Sequence, residues 1–409
     1  MTTLQPRDAK DVEAAVQWLL AEGKAAEIVG HGSKRAVGRP AQTDVTLDLS
    51  ALKGVTLYEP EELVLSAHAG TPLAEIEALV AAKGQQLAFE PMDCAVILGG
   101  TAGRGTIGGV LAANLSGPRR IRAGAARDHL LGFAAVSGRG ERFKSGGRVV
   151  KNVTGYDLCK LMAGSWGTLA AMTEVTIKVL PAPETEATVL IRGLEPGKAS
   201  AAMTSAMASP CDVSGAAHLP AGLAPRLPAG AAAGAGGAVT ALRLAGFAPS
   251  VAHRRRVIEG MMNSFGELVT IEAHASRALW RAVRDVTPFA ADRDGAERPL
   301  WRISTAPSRG AELGRLIANE SEAEMLYDWA GGLIWLALEP CYDAGAALVR
   351  RAVAATGGHA TLIRAPAAVR AAADVFATQD AAVAALTKRI KASFDPSGVL
   401  NPGRMWAGV

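Results

Sequence analysis

The sequence predicts an α+β protein of two or three domains. Three observations point there. Segments with the 3.6-residue apolar period of a helix are interspersed with runs that have the two-residue period of a strand. The chain has 409 residues, which at ~100–200 residues per domain gives two or three units and a sizeable core. The run PAPE at residues 181–184 punctuates the chain after a strand pattern and marks a domain boundary near Pro181–Pro183.

The elements follow in order. Val12, Ala15, Val16, Leu19 and Leu20 recur at helical spacing over residues 8–22, with Asp8 as N-cap and Gly23 as stop. AEIVG then reads as a strand running into the glycine turn GHGSK at 30–34. VTLDLS (45–50) and LVLSAHAG (63–70) read as strands. TPLAEIEALVAAKG (71–84) reads as a helix that Thr71 caps, with Pro72 in its first turn and Gly84 at its end. A strand and turn are expected at 129–141, a helix in YDLCKLMAG, and a strand in AAMTEVTIKVL, where Val175, Ile177 and Val179 alternate with Glu174, Thr176 and Lys178. In the second half WLALEP and HATLIRAP read as strands, and residues 380–394 as the last helix. AGAAAGAGGA (229–238) is low-complexity and reads as a loop tip or linker.

Composition excludes several classes. Lys and Arg number 43 against 39 Asp and Glu, a net charge of +4 spread along the chain, and aromatics are only 5%. Neither a basic tail nor stacking platforms for nucleic acid are present. Cysteines stand at 94, 159, 211 and 341 without a C-x-x-C, a spacing that supplies no iron–sulfur or structural zinc set and no disulfide framework. The N-terminus is polar, and no run reaches the ~18–20 apolar residues of a membrane span. A soluble cytoplasmic protein without a metal site is expected.

Two glycine-rich regions carry the functional reading. In GHGSK, Gly30 and Gly32 let successive amides face one concavity, a nest suited to phosphate oxygens, to which Ser33 adds a hydroxyl and Lys34 a charge. An ordinary glycine turn is the plainer alternative. Gly103, Gly105 and Gly108 spell G-x-G-x-x-G, with Asp128 twenty residues on. A nicotinamide fingerprint should open a βαβ unit, yet NLSGPRRIRAG breaks the helix after Ala113, and that reading is set aside. TIGGVLAANLSG (106–117) instead places small residues where a backbone approaches a large planar ligand. Arg119, Arg120, Arg122 and Arg127 follow, as phosphate partners or as a solvated basic loop.

The ordered set GHGSK, AGTPLAEIEALVAAKG, TIGGVLAANLSG, RDHLLGFAAVSGRGE and KNVTGYDLCKLMAGSWGTLAAMTEVTIKVLP resembles the FAD-binding domain of the vanillyl-alcohol oxidase and p-cresol methylhydroxylase (PCMH) superfamily. KRIKASFDPSGVLNPGRM resembles that family's C-terminal signature. Within it, WRISTAP, DWAGGLIWLALEP and GGHATLIRAP make the chain similar to the FAD-binding subunits of bacterial glycolate oxidases. The resemblance implies two α+β subdomains clasping FAD over residues 1–181, an α+β cap with an antiparallel sheet over 182–385, and a tail, 386–409, returning to the FAD domain.

It also implies residue roles. Gly30, His31, Gly32, Ser33 and Lys34 would hold the pyrophosphate. Thr106, Gly108, Gly109, Asn114, Ser116 and Gly117 would line the ribityl and flavin side. Gly164, Gly167 and Thr168, with the backbone of Glu174, Val175 and Thr176, would complete the site. Asn401 and Arg404 would approach the flavin or anchor the tail. Gly32 stands where covalent members place a tethering histidine, so the FAD is expected to be non-covalent. In the cap, Arg302 and Arg364 are candidates for a carboxylate clamp and His359 for a base. Structural roles are the alternative for each. Trp301, Trp329 and Trp335 read as core or interface residues.

The resemblance further implies partners: a catalytic FAD subunit, an iron–sulfur subunit, and a small 2-hydroxy acid as substrate of the complex, which would lie in the cytoplasm or peripherally on a membrane through its partners. The cap lacks the histidine-rich runs of catalytic members. Two alternatives therefore stay open: a self-sufficient FAD-dependent oxidoreductase on a small 2-hydroxy acid, and a non-catalytic assembly subunit with vestigial FAD.

Overall fold

A computed structural model describes residues 2–148, 155–228, 237–291 and 298–409. Of the segments discussed above, KNVT (151–154) and residues 229–236 of the low-complexity run lie outside the described residues.

The first unit is a three-stranded parallel sheet with Val45–Asp48 between Thr2–Leu4 and Ala26–Val29. Helix Ala9–Ala21 covers it. Asp8 caps the helix, its carboxylate accepting from the amides of Lys10 and Asp11 at 2.7 and 2.9 Å. Val12, Val16 and Leu19 face the sheet and are fully buried.

The second unit is a five-stranded antiparallel sheet in the order Val55–Glu59, Val64–His68, Ala170–Lys178, Leu130–Ser137, Arg142–Gly146. Helices Leu73–Ala81, Ile107–Ala113 and Leu158–Met162 pack on its core. The first of these starts differently from the sequence expectation. Thr71 does not cap it, because its hydroxyl donates to the His68 carbonyl at 2.6 Å, and Pro72 holds the cap position without a side-chain bond.

Besides a two-stranded ribbon pairing Gln85–Gln86 with Leu180–Pro181, the largest sheet has eight antiparallel strands: Leu268–Glu272, Thr185–Arg192, Val239–Gly246, Gly215–Leu219, Ala323–Asp328, Leu333–Leu338, Leu300–Ser304 and His359–Arg364, in spatial order. Paired residues share a face. One face packs on helices through Trp301, Ile303, Leu336 and Leu362. The other, through Leu300, Trp335 and Ile363, joins a core that also contains Met92, Cys94, Ile97 and Leu115 from the first half of the chain. A buried charged network crosses the same seam. Glu90 accepts from Arg243 at 2.8 and 3.0 Å and from the Arg119 amide at 2.7 Å, and Arg119 reaches Glu186 at 3.3 Å.

After helix Ala381–Phe394 the chain returns to the first sheet. The Ala26 amide donates to Val399 at 2.8 Å and the Asn401 amide to Ala26 at 2.9 Å. Lys391, buried, donates to the carbonyls of Thr168 and Leu400 and to the Asp395 carboxylate at 2.6, 2.9 and 2.6 Å. Three stretches far apart in sequence are thereby fixed at one place.

Candidate functional site

Where strand Ala26–Val29 ends, the turn 30–34, the start of helix Ile107–Ala113, the loop Trp166–Gly167 and the returning tail line a cavity that is open on one side. Gly30, His31, Gly32, Ser33, Lys34, Thr106, Gly108, Gly109 and Gly167 line it, as do Asn401 and Arg404.

The turn has the electronic character of an anion cradle. Among the described residues, the amides of Gly30, His31, Gly32, Ser33 and Lys34 donate no hydrogen bond within the chain. Lys34 is 9% exposed, and its ammonium meets only the Ser33 hydroxyl, at 3.3 Å. The Nδ1 of His31 and the Nε of Arg404 are buried without a partner. Gly32 adopts φ +73°, a left-handed conformation that favours glycine. At Gly30 an added Cβ would lie 2.6 Å from the Thr106 hydroxyl.

The second glycine region offers no free amides at its helix start. The amides of Ile107, Gly108, Gly109 and Val110 are already bonded, to Thr71, Ala69, the Thr106 hydroxyl and the Thr106 carbonyl. Gly108 is small because a Cβ there would lie 2.7 Å from the Cβ of Ala69. These residues shape the wall of the cavity rather than offering amides to it.

Several expected site residues do not line the cavity. Asn114 ends its helix at φ +49° and accepts from the Arg127 amide; Ser116 accepts from the Ala126 amide. Gly117 donates to Phe89 and accepts from the Trp329 indole. Gly164 donates to Leu111, and the Thr168 hydroxyl to Ser165. Glu174, Val175 and Thr176 lie in a central strand paired on both sides, with His68, Ala67 and Ser66 and with Ala134, Phe133 and Gly132. Sheet pairing therefore occupies their backbone. Trp166, Asn401 and Arg404 do line the cavity. Asn401 donates to the Trp166 carbonyl at 2.7 Å and accepts from the Ile28 amide at 2.8 Å.

The three cap candidates separate. Arg364 is a structural tie: it is 5% exposed and donates to the carbonyls of Arg298, Ile97 and Phe289 at 3.0, 3.0 and 2.8 Å. Burial in the seam, which its six-residue strand pattern did not reveal, removes it from a clamp with Arg302. Arg302 lies on the seam face of the cap sheet, paired with Trp335 and Thr361. His359, paired with Ser304, is on that same face. His359 is exposed at its edge of the sheet, yet partial desolvation and then the nearby Arg302 and Arg120 hold its imidazole below the ordinary value, so the neutral form predominates at pH 7. Beside them Asp328 is buried, and its carboxyl is pushed up to about 7 by burial. Of the loop arginines, Arg119 belongs to the Glu90 network, Arg122 pairs with Asp212, and Arg120 sits over the Trp329 ring.

Comparison with known proteins decides the family. Residues 2–146 match the model of an FAD binding domain. Over 381 residues, 93% of this chain and 92% of the relative, the sequence is 33% identical to glycolate oxidase subunit GlcE of Escherichia coli (strain K12). The chain belongs to the GlcE family. GlcD of Bacillus subtilis (strain 168), named as another glycolate oxidase subunit, is 30% identical over 151 residues, 37% of this chain and 30% of that protein. Among solved structures, 4-ethylphenol oxidase from Gulosibacter chungangensis has a TM-score of 0.71 at 14% identity, covering 99% of this chain and 89% of that one. p-Cresol methylhydroxylase has 0.71 at 13%, covering 98% and 88%. These show that the fold is the PCMH type.

This GlcE-family member is thus an FAD-binding protein of the oxidoreductase class, and its cavity fits the cofactor. The free amides of the turn and the Lys34 ammonium would suit a diphosphate. No helix among the described residues is long and apolar enough to cross a membrane.

Proposed function

We propose that this chain is the non-covalent FAD carrier of a heteromeric glycolate (2-hydroxy acid) oxidase or dehydrogenase, working beside a catalytic flavoprotein subunit and handing electrons to an iron–sulfur subunit. One observation carries the cofactor part: the unbroken run of free amides from Gly30 to Lys34, in a turn that lines a cavity with two cationic side chains, Lys34 and Arg404. When bound, FAD supplies a hydride acceptor. The chain's own residues do the rest. Lys34 and the turn amides balance the diphosphate charge. Asn401 and Arg404 close the cavity from the tail side. Gly32, in the position where covalent members carry histidine, leaves no nucleophile there for a tether, so the flavin is held by contacts alone.

The partners follow from chemistry and likeness. The four cysteines are scattered through the sequence, three buried and one exposed, all free. Electrons gathered on this chain leave to oxygen, a quinone or another polypeptide, and the last is favoured because GlcE and GlcD of known proteins are both named as subunits. A cytoplasmic complex, peripheral on the membrane through its partners, accords with this. His359 remains a candidate base, being neutral at pH 7 on the seam face.

The test is purification of the full chain alone and with its companions. The isolated chain is expected to be yellow, to release its flavin into the supernatant on acid precipitation, and to capture a flavoprotein and an iron-containing subunit from cell extract. A colourless chain that takes up no added FAD would refute the cofactor reading. Flavin in the acid pellet would refute non-covalent binding. A companion set without iron would refute the electron route.

A further inference from the structure

Arg120 and Arg302 come from opposite sides of the seam and meet on one indole. Their guanidinium carbons lie 4.3 and 5.1 Å from the centroid of the Trp329 ring. Neither has an ion pair or a side-chain hydrogen bond among the described residues. Their neighbours contrast with them: Arg119 and Arg243 share Glu90, and Arg298 reaches Glu324 at 2.9 Å and Glu339 at 3.5 Å. Two partly buried cations without a partner are costly. Each raises the cost of the other: burial and then the charge of Arg120 bring the Arg302 guanidinium down to about 10. The nearby acid, Asp328, forms no ion pair with either. Its carboxylate instead accepts from the Trp329 amide at 2.7 Å.

The indole is held there at a conformational cost. Trp329 and Ala330 both adopt left-handed backbone, φ +51° and +57°, which costs of order 1–3 kcal/mol at a non-glycine residue. The Trp329 Nε1–H donates to the Gly117 carbonyl at 3.0 Å and so locks the cap onto the cofactor-binding half. Arg302 occupies the middle of its strand, with Thr361 opposite it and His359 further along the same face. Cationic, hydroxyl and imidazole groups thus share one patch between the two halves.

We propose that this chain has its own binding site for a small carboxylate, held at Arg302 in the field of Arg120 on the Trp329 platform. A guanidinium matches a planar carboxylate in bidentate fashion, and a bound anion would neutralise the pair. The choice of a hydroxy or oxo acid as occupant rests on the function proposed above; that a small oxyanion binds rests on the arginines. Arg120 was readable in the sequence only as one of four basic loop residues, and its partner lies in a strand beyond residue 300.

Calorimetric titration of the full-length chain with oxalate tests this, since oxalate has planar carboxylates and no hydride to give. Flavin absorbance is recorded on every sample. Saturable binding of one oxalate is expected, weaker binding of inorganic phosphate, and a loss of about tenfold or more in oxalate affinity for each of R302Q and R120Q, as for removal of a charged hydrogen-bond partner. R302K, which keeps the charge and the strand, should fall between. R351Q, at an exposed arginine paired with Glu320, should match the wild type. Oxalate binding that survives both R302Q and R120Q, or no saturable binding by the wild type, would overturn the site. Tighter phosphate than oxalate would overturn the carboxylate assignment. Flavin loss in both R302Q and R302K would assign the arginines to the cofactor instead. A colourless chain that still binds oxalate through both arginines would uphold the site while the cofactor reading failed.

Discussion

The guanidinium of Arg404 donates to the carbonyl of Lys34 at 2.9 Å, across 370 residues of sequence. The contact fixes the turn whose amides stay free, and the same residue lines the cavity and keeps a buried, unpartnered Nε. Arg404 therefore has two roles, in turn geometry and in contact with the ligand. R404A should weaken FAD binding by about 10- to 100-fold, the range for losing hydrogen bonds of a charged group. Titration of the apoprotein, followed by quenching of flavin fluorescence, measures it. An unchanged dissociation constant would mean that the tail only covers the first sheet.

Glu90 is the hub of the seam. Burial alone would raise its pKa, but Arg243 and Arg119 outweigh burial and hold the carboxyl below its usual value. Arg243 is 1% exposed, so E90Q leaves a buried guanidinium without its carboxylate. A loss of about 3–5 kcal/mol is expected, as for breaking a buried pair from one side, read by urea denaturation. Because the folded pKa is depressed, the Glu90 contribution is present at neutral pH and disappears as pH falls through that lowered value.

His218 also loses stability as pH falls, but for the opposite reason: it stabilises the fold only when neutral. It is 1% exposed between strands, with Nδ1 at 2.9 Å from the Thr240 hydroxyl and Nε2 unpartnered. Burial pulls its pKa down to about 4. The unfolded chain binds the proton more readily, so the stabilising contribution is complete above about pH 6.5 and declines toward pH 4, by about 3 kcal/mol in all. The Asp328 carboxyl titrates in the same range with the opposite sign. The clean measurement is therefore the wild-type stability minus that of H218Q at each pH. A difference that stays flat from pH 7 to 4.5 would show that His218 is protonated in the fold.

What the sequence discloses and what it hides divide along physical lines. The turn at Gly30–Lys34 is legible because a strand, two glycines, a hydroxyl and a lysine lie within five residues, and the structure brings all five to the cavity. The helix after Thr106 is legible as a close approach, and Thr106, Gly108 and Gly109 do line the cavity, but one reason for the small residues lies within the protein. The glycine pattern is the same whether small residues admit a cofactor or, as at Gly108, the neighbouring Ala69. Glu174–Thr176 reads as half-buried strand, and nothing in that alternation shows that the strand is central, with both backbone edges paired. Arg364 and Arg302 look alike as lone arginines in short strands. Only the seam distinguishes one that reaches the Ile97 carbonyl of the other half from one that has no polar partner among the described residues. Contacts such as Trp329 to Gly117 join residues 212 apart and leave no local pattern.

The closeness of Gly30 to Thr106 yields the sharpest test of cavity geometry. An added Cβ at Gly30 would meet the Thr106 hydroxyl at 2.6 Å and its methyl at 2.9 Å. Thr106 cannot simply rotate away, because its hydroxyl accepts from the Gly109 amide and caps the helix. G30A should therefore act as overpacking, costing about 1–3 kcal/mol, and should displace the turn and lower flavin affinity. T106A alone removes the cap for about 1 kcal/mol. In the double variant the obstacle to the new methyl is gone, so the penalties should fall clearly short of additive, as expected for residues in direct contact. Thermal unfolding and FAD titration of the four proteins provide the cycle. Strict additivity in both would mean that the turn and the helix start do not touch in solution, and the cavity built from their contact would have to be abandoned.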